Sequence, residues 1–411
     1  LVRHPSWNAL FYGALLVMKL APVAAVVVYF APSLFSQEAV HCRRLLRRQE
    51  GGLRSLLSYV SFLLRGPFRG PLVALVLVFL LAFGEFEMAS LFGIKAWSVA
   101  LFDAHAGGLA LSESLWLSLF PALVGASLVL AALFLLLTVP GGSVTPVRRP
   151  ADLGRGAGLL VWAYAAASAM LVTVVPALIV LGGMARGLRM LVSEFVLGKD
   201  ILASVLFATG AAVCAYCVAG WFLAVALRAT SAKRKLAWAF CLSAPGLLGP
   251  LVLSLGLVWV FQAPGLRAMY DTPVPVLIAL TLVVLPFGLL LRIVLHMLRP
   301  GEAIHAAELL GSSTSSGVRR WHSRLIWQLR SRRQFWVAFL LFCWAYFDLT
   351  ASSILAPPGM TPVLARLYNF MHYGQSAVLS AMVCVAFLVP VAVVVLADAA
   401  GGQLLSWIRH A

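Results

Sequence analysis

Thr272–Gly311 reads TPVPVLIALTLVVLPFGLLLRIVLHMLRPGEAIHAAELLG. Its first part, about 274–298, is an apolar run long enough to cross a hydrocarbon core of ~30 Å as a helix. The run gives way to an arginine-rich segment from about Pro300 to Arg333. Near its start lies a small-residue helix ended by a glycine: His305, Ala306, Ala307, Glu308, Leu309, Leu310, Gly311. An apolar span followed by a basic loop is the unit from which the rest of the chain is built. A water-compatible helix in such a chain points to a docking site for a cytosolic partner.

Outward from this stretch, similar runs recur. Spans are expected at about 9–31, 71–92, 115–138, 157–183, 201–228, 236–262, 274–298, 335–356 and 378–398, about nine in all. The composition agrees: 62% of the 411 residues are hydrophobic and 11% charged, where soluble domains carry roughly a quarter charged residues. The expected fold is therefore all-α, a polytopic membrane helix bundle. Residues 9–31 lack a small-residue cleavage site and exceed a signal-peptide core in length, so they read as a retained span.

The formal net charge of +17 is distributed as topology requires. With 33–70, 139–156, 228–235, 299–334 and the C-terminus in the cytosol, that side collects roughly three times as many Lys and Arg as the other. This places the N-terminus outside and the C-terminus inside, and it removes nucleic acid as the explanation of the charge. Six cysteines form no disulfide framework. Cys214 and Cys217 have the spacing of a zinc half-site but no second pair, and read as small residues for helix packing. No G-x-x-x-x-G-K-[ST] or His-Glu-x-x-His sequence occurs, so any ATP hydrolysis falls to another chain.

The chain also repeats itself. A basic loop precedes a span ending GEFEMASLFG, Gly84 to Gly93, and another precedes a span ending AYFDLTASSIL, Ala345 to Leu355. This alignment sets Phe86-Glu87 beside Phe347-Asp348. The division falls at 1–145, with three spans, and 146–411, with six. The first repeat then lacks three leading spans, as in a fragment or a short product completed by another subunit. Parallel repeats are common in transporters, with the path at their interface. Pro245, Pro286 and Pro390 kink the later spans.

The order of APGLLGPLVLSLGL, TPVPVLIALTLVVLPFG, HAAELLG and ILAPPGMTPVLARLYNFMHYGQS resembles the permease subunits of binding-protein-dependent ABC importers. The iron(III) branch, with two fused permease domains of the type I fold, is the nearest in kind. The resemblance covers 157–411 and roughly 33–138; its most specific pieces are Pro357 to Gly374 and Gly84 to Glu87. It implies a coupling helix in the cytosolic loop, with His305 where the family has glutamate, then Ala306, Ala307, Glu308 and Gly311. In the first loop the repeat puts Gly51 or Gly52 at the glycine position; alternatively Glu38-Ala39 starts the motif, with Arg44 where the glycine falls. It further implies a cytosolic ABC ATPase dimer that binds ATP, an external solute-binding protein, and a bacterial inner membrane location. No cofactor is expected on this chain.

Within the spans, Glu85 and Glu87 come about 15 residues into a helix at ~1.5 Å per residue, and Asp348 is placed similarly. Ionisable groups there need a reason. Glu85, Glu87, Asp348 and Tyr346 are candidates to line a cation path, since oxygen ligands suit a hard cation. The alternative is that the acids anchor near the outer headgroups or pair with Lys95 and Arg366. Lys19 either pairs with one of these acids or snorkels. The expected function is inward transport of iron(III) or a similar small polar solute; thiamine, polyamine and phosphonate fit the same class. The alternative is a repurposed permease serving as a non-transporting scaffold. No pair of catalytic polar groups supports an intramembrane enzyme.

Overall fold

The computed structural model describes residues 5–30, 42, 45, 58–60, 62–63, 68–138, 155–194, 197–228, 231–297, 301–311, 322, 325–374 and 376–407. The structure is 88% helical, and no strand occurs among the described residues. The all-α class follows from local chemistry. In a run such as Val274–Met297, nearly every side chain is apolar, and a helix matches each backbone N–H and C=O within the segment itself.

The elements are α1 (Pro5–Phe30), α2 (Arg69–Phe83), α3 (Glu87–Leu91), α4 (Trp97–Ala106) and α5 (Leu111–Thr138). Next come α6 (Arg155–Ser168), a π-helical stretch (Ala169–Val174), α7 (Val175–Glu194), α8 (Leu197–Arg228), α9 (Ala232–Leu247) and α10 (Pro250–Phe261). After these come α11 (Val274–Met297), α12 (Gly301–Gly311), α13 (Arg332–Tyr346), α14 (Thr350–Leu355), α15 (Val363–His372) and α16 (Ser376–Trp407).

Among the described residues, six helices are long and apolar enough to span a bilayer: Trp7–Val28, Ser112–Phe134, Gly158–Met184, Gly198–Ala226, Val274–His296 and Ala377–Leu396. The chain is a multi-pass membrane protein. Three of the nine expected spans are not single helices. The run at 236–262 bends by 91° between Leu247 and Pro250, where Gly249 takes φ 84° and Pro250 opens the next helix. The runs at 71–92 and 335–356 stop at Phe83 and Tyr346 and restart after a gap of three residues, at Glu87 and Thr350.

Two compact units emerge. One comprises Leu1–Thr173, Val225–Cys241 and Ile293–Leu298; the other comprises Val174–Ala224, Leu242–Arg292 and Arg299–Ala411. In the first, α1 packs against α2, and α5 packs against α2 and α4. Tyr164 Oη donates to Val17 O over 3.4 Å, tying α6 to α1.

In the second unit, α7 crosses α16 at very close range. A Cβ at Gly187 would overlap the Ala377 carbonyl, and one at Gly183 would press on Ser380. Gly183-x-x-x-Gly187 is thus a small-residue stripe that lets two backbones meet, which is how membrane helices associate without a hydrophobic driving force. Leu191, Val363, Phe370, Val378, Ala381, Met382 and Ala386 form a core beside that crossing. Helix directions alternate: Gly210 lies against Leu277 on the parallel α8–α11 pair, while Gly288 lies against Leu341 and Phe287 against Trp344 on the antiparallel α11–α13 pair.

Gly187→Leu forces a side chain into the Ala377 backbone, a cost of about 1–3 kcal/mol or more for overpacking. Thermal unfolding of the purified chain is expected to show a clear loss for Gly187→Leu. At Gly182, where a Cβ meets nothing within 4 Å, the same replacement should leave the midpoint nearly unchanged.

Candidate functional site

The first unit holds a broken helix in which the acid and two carbonyls freed at the break each have a side-chain partner. α2 ends as Gly84 N–H donates to Leu80 O (3.0 Å) and Glu85 N–H to Ala82 O (3.3 Å). α3 begins two residues after Glu85, and the Glu85 carboxylate accepts the Met88 N–H through Oε1 at 3.2 Å. Its other oxygen, Oε2, meets Lys19 Nζ at 2.5 Å. Two carbonyls freed by the break also find donors. Trp97 Nε1 donates to Phe83 O at 2.6 Å, and Ser98 Oγ to Glu85 O at 3.1 Å. Glu85 is 9% exposed and Lys19 49%, so a lysine stem reaches from a half-exposed position to neutralise a buried acid. Burying that carboxylate alone is costly enough that the pair explains itself.

The second unit repeats the backbone pattern at its break. Phe347 N–H donates to Cys343 O (2.9 Å) and Asp348 N–H to Ala345 O (3.4 Å), as Gly84 and Glu85 do. The Asp348 carboxylate accepts the Ala351 N–H at 2.8 Å, as Glu85 accepts that of Met88. Ser353 N–H to Leu349 O matches Ser90 N–H to Phe86 O. A ten-residue helix follows each break, α4 or α15, between glycines of positive φ: Gly93 (63°) and Gly108 (96°) in one case, Gly359 (80°) and Gly374 (68°) in the other. A long helix, α5 or α16, then closes each motif.

This backbone shifts the alignment read from the sequence. Glu85, not Glu87, is the counterpart of Asp348, because each acid lies three residues before the N–H that it caps. Glu87 instead occupies the first turn of α3, where a negative charge suits the positive end of the helix. Tyr346 is the last residue of α13; it is 4% exposed and its hydroxyl has no hydrogen-bond partner. Lys19 pairs with Glu85 rather than snorkelling, and Arg366 does not serve Asp348.

Arg366 goes instead to Asp200. Its Nε donates to Oδ2 at 2.9 Å and its second guanidinium nitrogen to Oδ1 at 3.2 Å. Ser204 Oγ accepts the Val363 N–H at 2.7 Å and donates to Asp200 O at 3.0 Å. Together these tie α15 to the start of α8. Asp200 and Ser204 are absent from the sequence-derived candidates, although an acid at the head of an apolar span is the kind of signal that marks one. Elsewhere in the unit, α10 packs against α14, so the segments that follow two breaks lie side by side.

The segment Gly301–Gly311 is a helix, as its small residues suggest. Ile304 and Ala307 are each 2% exposed and face the protein, whereas His305, Ala306 and Glu308 lie outward with Leu309, 62% exposed, and Leu310. Ala307 is therefore an anchor of the helix rather than part of its free face. Gly51 and most of the loops at 33–70 and 139–156 lie outside the described residues.

All six cysteines are free, and Cys214 and Cys217 are exposed on α8 rather than packed between helices. Among the described residues, no group of three His, Cys, Asp or Glu side chains is placed to hold a metal ion. No family model, curated protein or solved structure matches the chain. Its function is argued from its own geometry.

Lys19→Met leaves Glu85 without its cation and is expected to cost about 1–3 kcal/mol. Adding Glu85→Gln should recover most of that loss. Denaturation midpoints of the two single variants and the double variant give the coupling directly; a double variant no better than Lys19→Met would show that the pair contributes nothing.

Proposed function

We propose that this chain is the membrane-spanning subunit of a solute importer of the ABC class. Its two related repeats, 1–145 and 146–411, would switch access under the control of a separate cytosolic ATPase. The observation that supports this best is the duplicated break. A helix interrupted in the membrane, with an acid at the interruption, occurs twice with the same hydrogen-bond pattern. Irregular backbone at membrane depth is tolerated where it is buried in protein or lines a cavity, and transporters built from repeats place their paths at such interruptions. A passive anchor has no need of two.

On this reading Glu85, Glu87, Tyr346 and Asp348 belong to the translocation path. The basic loops face the cytosol, with the N-terminus outside and the C-terminus inside, in a bacterial cytoplasmic membrane. ATP is bound and hydrolysed by the partner. An external binding protein delivers iron(III) or a similar small polar solute to the side carrying α4 and α15. The outward face of α12 meets the ATPase. Leu309 and Leu310 supply its apolar contact, His305 and Glu308 its polar rim, and Ala307 holds the helix to the permease so that partner motion reaches α11 and α13.

Leu309→Asp tests the coupling. It changes an exposed side chain and leaves the buried Ile304 and Ala307 unaltered. ATP-driven uptake into proteoliposomes is expected to fall at least ~10-fold, with loss of the ATPase from the purified complex, as for an apolar hot spot. Uptake and assembly equal to wild type would remove α12 from the coupling path.

A further inference from the structure

The two breaks share a backbone but differ in what meets their oxygens. In the first unit, the carboxylate has the Lys19 ammonium, and the carbonyls of Phe83 and Glu85 have Trp97 and Ser98. In the second, the matching oxygens are the Asp348 carboxylate and the carbonyls of Tyr346 and Asp348. The residues that stand where Trp97 and Ser98 stand, counted from the positive-φ glycines, are Val363 and Leu364. Neither side chain can donate. Among the described residues, no side-chain donor reaches those two carbonyls, and no ion pair forms at Asp348.

The cation is missing for an equally specific reason. α1 and α11 each carry an internal proline, Pro22 and Pro286. Lys19 lies three residues before Pro22; Val283 lies three before Pro286. Gly288 and Phe287 meet Leu341 and Trp344 of α13, and Val283 lies one turn before Phe287 on the same face of α11. The second unit thus keeps the acid and the break, and an isopropyl group stands where Lys19 stands relative to the helix proline. Beside the break, the Tyr346 hydroxyl is buried and has no hydrogen-bond partner.

We propose that the Asp348 break is a binding site for one monovalent metal cation, Na+ in the first instance. It is the exchangeable counterpart of the position that the Lys19 ammonium fills in the first unit. One carboxylate oxygen would be the charged ligand, as Glu85 Oε2 is for Lys19, with the freed carbonyl of Asp348 and the Tyr346 hydroxyl as further oxygens. A single carboxylate balances a single charge, as it does at Lys19. Hard oxygen donors from an unwound helix suit an alkali cation and not a thiophilic metal. The use of the site in transport rests on the reading above; its occupancy by a cation does not.

The test is thermal unfolding of the purified full-length chain in NaCl against choline chloride at equal ionic strength, with 22Na+ binding as the second measurement. Wild type is expected to unfold about 3 °C or more higher in NaCl. Asp348→Asn should lose both the shift and the bound isotope. Val283→Lys, which installs the internal ammonium, should lose the Na+ response while unfolding as a stable protein in either salt. Tyr346→Phe should weaken Na+ binding about 5-fold or more.

Equal midpoints in the two salts for wild type would overturn the proposal. So would a Na+ response that survives in Val283→Lys, or a wild-type midpoint that responds to pH and not to Na+. Neither readout needs uptake. A chain that binds Na+ at Asp348 and moves no solute would therefore sink the transport reading alone.

Discussion

A helix that stops within a membrane leaves carbonyls and N–H groups that hydrocarbon cannot satisfy, each at a cost of several kcal/mol. The structure depends on how that cost is met at Gly84–Phe86 and Phe347–Leu349. At the first break the chain supplies a lysine from α1, an indole and a hydroxyl from α4, and an N–H from the start of α3. The second has the same backbone and the same N-terminal cap by its acid, while the groups that would complete it are apolar. The same backbone pattern thus occurs once with side-chain partners and once without them.

That difference gives the two units different parts to play. A lysine-filled break is a fixed element, because its charge balance and its carbonyl partners are built into the fold. On the proposal made above, the acid without a built-in cation takes its charge balance from outside. Rigid support around it is supplied by two devices of the second unit. The Gly183–Gly187 stripe brings α7 onto α16, and the forked Arg366–Asp200 pair with Ser204 fastens α15 to α8. The forked geometry fixes both distance and plane, more than a lysine in the same place could do.

Much of this was legible in the residues. Apolar runs of spanning length gave the helical membrane fold, and the small-residue segment before Gly311 gave α12. GEFE and AYFDL marked the repeat and its acids. The run at 71–92 did not announce its break, since Phe, Gly and Glu in an apolar stretch read equally well as one continuous span. The alignment slipped because matching the aromatic-acid pairs Phe86-Glu87 and Phe347-Asp348 ignores what the acid does. Only the N–H that each carboxylate caps sets the frame. Ala307 turned inward because a helix lying along a protein buries one residue per turn, and Ile304 and Ala307 share that face. The Arg366–Asp200 pair joins residues distant in the chain, and no local pattern predicts it.

The most direct measurement is an experimental density map of the chain in a lipid nanodisc, resolved well enough to trace side chains. The expected map shows helix ending at Phe83 and at Tyr346, restarting near Glu87 and Thr350, with Lys19 density joined to Glu85 and no protein side chain joined to Asp348. A continuous helix from Arg332 to Leu355, or a lysine or arginine seated on Asp348, would contradict the claim that the two breaks are equivalent and that only the first is closed by the chain itself.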